Sequence, residues 1–215
     1  MIRPIVLRNG VEIEDSLNTA LAFLEAYPRY DAGHASPPGS FREADLRLAN
    51  RGGARISAAE IAAILMRRRA IERALRGIAP DASLAGTAGT VPWLPLGRLF
   101  EAFADIRGVG FAKMTKALHR KRPALIPLLD SVVQRHLEDD DPGAEAPFGE
   151  RALALVRGYK RDLDRNRAAL RAVRRALAKR GYIVTEVRIL DVLIWSAETF
   201  MQSSATARPS ERRRR

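Results

Sequence analysis

One segment near the middle of the chain combines residue types that bind phosphate with a single acid. It reads IRGVGFAKMTKALHRKRPALIPLLD and spans residues 106–130. Glycines 108 and 110 have no side chain to keep a phosphate away, and the amides that open a following helix would point at the anion. The segment therefore predicts binding to a nucleic-acid backbone that does not depend on base sequence. It also predicts a positive φ at Gly108 or Gly110, where the hairpin turns. The predicted contact residues are Arg107, Gly108, Val109, Gly110, Lys113 and Lys116.

Both parts of this segment also allow an interpretation without a ligand. A Gly-Val-Gly sequence can simply make a tight turn between two packed helices. Asp130 stands before Ser131 and an apolar run, so its side chain could cap a helix N-terminus. The sequence leaves open whether Asp130 is a catalytic carboxylate or only a cap.

Helices must position these residues, because apolar residues recur at steps of three and four along most of the chain. Ser40 with Glu43, and Ser57 with Glu60, form capping-box patterns that predict the starts of two adjacent helices. Residues 150–180 predict one long helix or two stacked helices, with a break at the sequence DLDRNR left open. Strand signals are few, and we therefore predict an all-α fold.

The predicted organisation is one compact helical domain over residues 1–215, or two intimate lobes, with a helix-hairpin-helix at 95–120. Residues 79–92, APDASLAGTAGTVP, have the composition of a loop. Residues 204–215 end in ERRRR and predict a disordered basic tail. The helix-hairpin-helix thus falls near mid-chain, with helices on both sides.

The composition excludes several classes of protein. None of the 215 residues is cysteine, which rules out disulfide frameworks, thiolate zinc sites and cysteine nucleophiles. No stretch approaches the ~18 apolar residues that a membrane span needs. We therefore expect a cytoplasmic protein with no membrane partner.

Positive charge is concentrated in parts of the chain. The formal net charge is +12. Residues 98–122 carry seven Lys or Arg against two acids, and residues 151–180 carry eleven against two. Such patches attract polyanions, of which nucleic acid is the commonest, although arginines that merely solvate an alanine-rich chain would give the same counts. DNA is the partner that we expect.

The hairpin and Asp130 together resemble the helix-hairpin-helix DNA glycosylase superfamily. Its members carry a hairpin of the form L-P-G-V-G followed by an aspartate, and the adenine-mismatch branch has a PILDGNV-like segment where this chain has IPLLDSVV. The resemblance covers residues 95–137 and implies a glycosylase-like helical bundle. It also implies that Asp130 stands in a cleft, where a carboxylate could stabilise an oxocarbenium-like sugar or activate a nucleophile beside a flipped base.

The same resemblance implies a monovalent cation on the backbone carbonyls of Ala104, Ile106 and Val109, and no other cofactor. Lyase-type members have a Schiff-base lysine where this chain has Ala112, and Lys113 is about 100° further round the helix. This difference disfavours a β-elimination lyase and leaves a monofunctional enzyme. The HRKRP, IPLLDS and RILDVLIW segments are also similar to an uncharacterised bacterial family of unknown function, which implies no activity.

Two classes of function remain open: a monofunctional DNA N-glycosylase that uses Asp130, and a non-enzymatic DNA- or RNA-binding protein with the same scaffold. A cleft beside Asp130 that is large enough for a base would favour the enzyme. Trp93 could stack on a base or fill the core under a loop, whereas Trp195 lies on a strongly apolar helix and is predicted to be core. His119 and His136 lack partners with ligand spacing, so we expect structural roles for them.

Overall fold

The computed structural model describes residues 2–31, 33 and 35–206. Within them the chain forms eleven α-helices and one pair of short strands, which confirms the all-α prediction. The strands β1 (Ile5–Val6) and β2 (Glu12–Ile13) pair antiparallel. The helices are α1 (Ser16–Ala26), α2 (Pro28–Asp31), α3 (Glu43–Arg51), α4 (Ala58–Met66), α5 (Arg68–Arg76), α6 (Trp93–Glu101), α7 (Phe111–His119), α8 (Ser131–His136), α9 (Phe148–Arg165), α10 (Arg167–Ala178) and α11 (Glu186–Thr206).

Aliphatic and aromatic side chains from almost every helix join one buried hydrophobic cluster that runs from Ile5 to Ile194. Helix α6 packs along α9, α7 packs against α3, and α11 packs against α1, α8, α9 and α10. Helix α11 therefore holds the amino-terminal helix and the helix that follows Asp130 in one place.

A hairpin of residues 102–110 joins α6 to α7. The Val109 amide donates a hydrogen bond to the Ile106 carbonyl at 2.9 Å, and Gly108 has a φ of +81°. This is the geometry of a type II turn, whose third residue needs positive φ and is commonly glycine. The prediction of positive φ at Gly108 or Gly110 is thus confirmed at Gly108, whereas Gly110 is extended with φ −93°.

Helix α4 begins with the capping box that its sequence predicts. The Ser57 hydroxyl accepts a hydrogen bond from the Glu60 amide at 3.3 Å, and the Glu60 carboxylate accepts one from the Ser57 amide at 2.8 Å. The helix ends at Met66, and Arg67, with ψ near 1°, separates it from α5.

Helix α3 starts later than predicted, and its cap is different. Arg42 is the N-cap residue, and its amide donates to the Asp45 carboxylate at 2.8 Å. Asp45 is buried and pairs with Lys121 at 2.9 Å, which fixes its side chain in this position. The capping box expected from Ser40 and Glu43 is therefore wrong.

Asn166 divides the long carboxyl-terminal pattern into α9 and α10. Its side-chain amide accepts a hydrogen bond from the Val6 amide at 2.9 Å and donates one to the Val6 carbonyl at 2.8 Å. The break in the helix therefore also anchors strand β1 to the helical body.

Residues 79–92 contain one short 3-10 helix, Ala88–Thr90. Helix α11 runs to Thr206 and includes the first residues of the expected tail, 204–206. The rest of that tail, 207–215, lies outside the described residues. Within the part of the chain that the structure describes, no helix has both the length and the apolar character needed to cross a bilayer.

Candidate functional site

Asp130 is the N-cap of α8. Its Oδ1 atom accepts hydrogen bonds from the amides of Val132 and Val133, both at 3.1 Å. Its Oδ2 atom accepts no hydrogen bond from the described residues, and the side chain is half-buried. The two interpretations of Asp130 are therefore compatible, because one oxygen holds the helix while the other stays available.

A cavity of about 550 Å³ opens beside Asp130. This volume lies within the ~300–1,000 Å³ range of small-molecule sites. Helices α1, α2, α7, α8 and α11, together with the end of α3 and the loop after it, supply most of the wall. Its charged side chains include those of Asp130, Lys116, Arg188 and Asp191. The fold thus places a cleft large enough for a nucleobase next to the acid.

Aromatic side chains form one part of the cavity wall. The ring centroids of Phe23 and Trp195 are 5.3 Å apart with an interplanar angle of 72°, and those of Tyr27 and Trp195 are 6.0 Å apart. Tyr27 is 54% exposed. The prediction that Trp195 belongs to the core is wrong, because the indole is half-buried and lines the cavity.

Lys116 lies in the cavity wall and not at the hairpin. Burial lowers the pKa of its amine; the nearby Asp130 carboxylate opposes this shift, while the cationic Arg188 and Arg55 add to it. No described residue forms a salt bridge or hydrogen bond with the Lys116 amine, although its backbone carbonyl accepts a bond from the Tyr30 hydroxyl at 2.9 Å. The charge of Lys116 is therefore available to a ligand.

Arg188 and Asp191 belong to the deeper part of the site, and both are buried. Arg188 forms a bidentate ion pair with Asp31 at 2.9 and 2.8 Å and lies over the Phe23 ring at 5.4 Å. Burial raises the pKa of the Asp191 carboxyl, which accepts hydrogen bonds from the Leu128 amide at 3.2 Å. These groups hold the cavity together and add little net charge to it.

Residues 50–56 comprise the last two residues of α3 and the loop that follows it. They contribute Arg51, Gly52 and Gly53 to the wall. The Asn50 side chain closes this loop, since it accepts a hydrogen bond from the Ile56 amide at 2.6 Å and donates one to the Ile56 carbonyl at 2.9 Å. The sequence analysis did not single out this loop. Its one signal is the pair of glycines between arginines in the sequence RGGAR.

Comparison with known proteins gives a family and no activity. Residues 18–198 match the family of unknown function DUF6308. The chain belongs to DUF6308. No curated protein and no solved structure matches it. The matched span contains the hairpin and every residue of the cavity wall, so both features lie in the part of the chain that DUF6308 describes.

In this DUF6308 protein an acid from α4, Glu60, lies against the hairpin. The Lys113 amine lies 2.6 Å from Oε1 of Glu60, and a Cβ atom at Gly108 would collide with the same carboxylate. Gly108 therefore makes room for Glu60 as well as for the turn. An anion that bound at the hairpin would have to displace Glu60 from Lys113. Of the other predicted contacts, Arg107 and Gly110 are exposed and Val109 is buried.

The carbonyl groups predicted to bind a monovalent cation differ in their hydrogen bonding. Those of Ala104 and Val109 accept no hydrogen bond from the described residues, whereas that of Ile106 accepts the Val109 amide. The backbone of the DUF6308 hairpin therefore leaves oxygen lone pairs available, as a cation site needs, and the cation stays a prediction. Among the described residues, no group of three or more His, Asp and Glu side chains is arranged to hold a metal ion.

Both histidines near Asp130 are buried in this DUF6308 chain. Nδ1 of His119 lies 2.6 Å from the Ile126 carbonyl, and burial lowers the pKa of His119 to about 4. Nε2 of His136 lies 3.1 Å from the Asp162 carboxylate. Each ring thus has a structural partner within the fold.

Most basic side chains of residues 151–180 are solvent-exposed, and some of them pair with acids. Lys160 is buried and pairs with Asp164 at 2.9 Å, and Arg151 pairs with Asp141 at 2.7 Å. The exposed basic residues are Arg157, Arg161, Arg165, Arg171, Arg174, Arg175, Lys179 and Arg180. They leave an extended positive surface on α9 and α10.

Proposed function

We propose that this protein binds DNA, receives an extruded base in the cavity beside Asp130, and acts as a monofunctional DNA N-glycosylase. The observation that carries the proposal is the cavity of about 550 Å³ with Asp130 in its wall. A base inside a duplex cannot reach such a cavity unless it leaves the stack. We further infer that the helices around it form a glycosylase-like bundle with the hairpin of residues 102–110.

The aromatic wall supports a nucleobase as the occupant. Phe23, Tyr27 and Trp195 present rings to the cavity. Stacking of a base on an aromatic side chain contributes ~1–3 kcal/mol and tolerates any base, because every base has a π-face. The exposed basic residues of α9 and α10 would hold the DNA backbone without reading sequence.

The hydrogen bonding of Asp130 supports a catalytic role. Its Oδ1 atom is fixed by two backbone amides, which orients the carboxylate, and Oδ2 is unbonded among the described residues. In the proposed step the water oxygen bonds to C1′ of the sugar as the N-glycosidic bond breaks. The electron pair of that bond leaves with the base, and Asp130 accepts the water proton and offsets the positive charge on the sugar.

The direct test is a panel of duplex oligonucleotides that contain uracil, oxidised, alkylated or mismatched bases. After incubation, alkali cleaves the strand wherever a base has been released. We expect release by the natural protein, and a rate at least ~100-fold lower for Asp130→Asn, because positioned general bases contribute about 10²–10⁴-fold. DNA affinity should be kept, since the substitution removes a negative charge, and stability should be kept, since Asn caps a helix as well as Asp.

Three results would contradict the proposal in different ways. Equal rates with and without the Asp130→Asn change would remove Asp130 from the chemistry. Strand cleavage without alkali would show a lyase and overturn the monofunctional assignment that rests on Ala112. No release from any substrate, together with normal DNA affinity, would favour the non-enzymatic DNA- or RNA-binding protein.

A further inference from the structure

Cationic side chains surround the mouth of the cavity. Arg29, Arg51 and Lys116 line it, and Arg55 is close enough to Lys116 to lower its pKa. None of these four forms a salt bridge with a described residue, whereas Arg188 deeper in the wall is paired with Asp31. The cavity wall therefore combines aromatic rings with cationic side chains that form no salt bridge, and its nearest acid to Lys116 is Asp130.

The hydrogen bonds and backbone angles of residues 50–56 fix the positions of Arg51 and Arg55. The two Asn50 hydrogen bonds to Ile56 close the loop, and Gly53 and Arg55 have φ values of +76° and +55°. Such φ values are uncommon for a residue other than glycine, and they persist where the surrounding structure imposes them. A Cβ atom at Gly53 would lie 4.0 Å from the Lys116 amine, so the loop and this amine are neighbours.

We propose that Arg51 and Lys116 form a phosphate site at the mouth of the cavity, for the phosphate of the nucleotide whose base stacks on Tyr27 and Trp195. An unpaired cation cluster on a closed loop is complementary to a phosphate, and Arg can bind phosphate oxygens in a bidentate manner. The inference rests on the proposed function, since it places a base in the same cavity.

A nucleotide phosphate could come from a DNA strand or from a free mononucleotide, and the same contacts would serve both. The two sources are separated by titrating a nucleoside 5′-monophosphate and a short single-stranded oligonucleotide in parallel. If the oligonucleotide binds more tightly than the monophosphate, and both lose affinity when the cations are replaced, the site is assigned to a DNA strand. Equal affinities assign it to the free nucleotide.

The experiment uses the full chain and the fluorescence of Trp195. The protein has two tryptophans, so a Trp93→Phe background leaves Trp195 as the only reporter. We titrate a nucleoside 5′-monophosphate and the same nucleoside without phosphate. The monophosphate should bind at least about tenfold more tightly, and Lys116→Gln should remove that increment, because a hydrogen bond between charged groups is worth about a factor of ten or more.

Lys113→Gln is the matched control, since Lys113 is on the same helix but is paired with Glu60. It should leave the phosphate increment unchanged. Arg51→Gln is the second test variant, because Arg51 is exposed and its replacement should not disturb folding. It should weaken the monophosphate several-fold and the nucleoside not at all.

Equal affinity for nucleoside and monophosphate would overturn the phosphate site, as would an increment that survives both Lys116→Gln and Arg51→Gln. The phosphate site and the proposed enzyme can fail separately. Base release that depends on Asp130 but not on these cations would keep the enzyme and remove the phosphate site. A phosphate increment without base release from any oligonucleotide would keep the site and remove the enzyme.

Discussion

Two lysines on α7 lie three positions apart, and the fold gives them opposite surroundings. Lys113 is 2.6 Å from Glu60, whose carboxylate compensates its charge beside the hairpin. Lys116 lies in the cavity, where it forms no salt bridge with a described residue although the Asp130 carboxylate is near, and burial lowers the pKa of its amine. Both had been predicted as phosphate contacts of the hairpin. The comparison shows that the lysine of this helix without a salt bridge, Lys116, belongs to the cavity and not to the hairpin.

A substitution in the cavity wall that leaves the hairpin intact should have the largest effect on stability and on nucleotide binding. A Cβ atom at Gly52 would lie 2.6 Å from the Tyr30 ring, whose hydroxyl holds the carbonyl of Lys116. Gly52→Ala should therefore lower the free energy of unfolding by ~1–3 kcal/mol, the usual cost of overpacking, and should weaken nucleotide binding. Chemical denaturation of Gly52→Ala against Gly89→Ala gives the comparison, because a Cβ atom at Gly89 meets nothing within 4 Å. Equal stability of the two variants would contradict the described packing.

The second prediction concerns the pH dependence of nucleotide binding, for which we expect an effect of intermediate size. Because burial lowers the pKa of Lys116, its positive charge is lost at a lower pH than that of an ordinary lysine. Affinity for a nucleoside 5′-monophosphate should therefore fall several-fold as the pH rises through this lowered pKa, before an ordinary lysine would lose its charge. Lys116→Arg should keep its affinity over the same range, since arginine stays charged. A loss of affinity that is the same in both proteins would assign the pH dependence to another group.

The smallest effect is expected at the hairpin. Glu60→Gln removes the partner of Lys113 and should cost about 0.5 kcal/mol, as is typical of a partly exposed ion pair. Affinity for duplex DNA, measured by fluorescence anisotropy at fixed salt, should change by less than about threefold. An increase in DNA affinity of tenfold or more would contradict this account, because it would show that the hairpin, once free of Glu60, is the main phosphate contact.

Local sequence signals predicted the parts of the fold that depend on neighbouring residues. The capping box of Ser57 and Glu60, the positive φ of Gly108 and the cap formed by Asp130 each involve residues a few positions apart. Ser40 failed as a cap because Asp45 is held by Lys121, a partner far along the chain. A distant contact overrode the local pattern there.

The candidate site was only partly predictable for the same reason. The sequence singles out Asp130, but the cavity beside it is built by residues from six helices and the loops between them, which come together only in the folded chain. Trp195 has the sequence surroundings of a core residue, and only the folded chain shows that it is half-buried and lines the cavity. Spacing could not distinguish Lys113 from Lys116, because Glu60 approaches from a different helix.

The central claim, that an extruded base enters the cavity beside Asp130, can be tested by photo-crosslinking. A duplex with one mismatched 5-iodouracil is bound to the full chain and irradiated, and the crosslinked peptide is identified by mass spectrometry. The account predicts crosslinks to Tyr27 or Trp195, the aromatic residues of the cavity wall. Crosslinks confined to the hairpin peptide of residues 102–113, or to residues 151–180, would show that the base stays outside the cavity and would contradict the account.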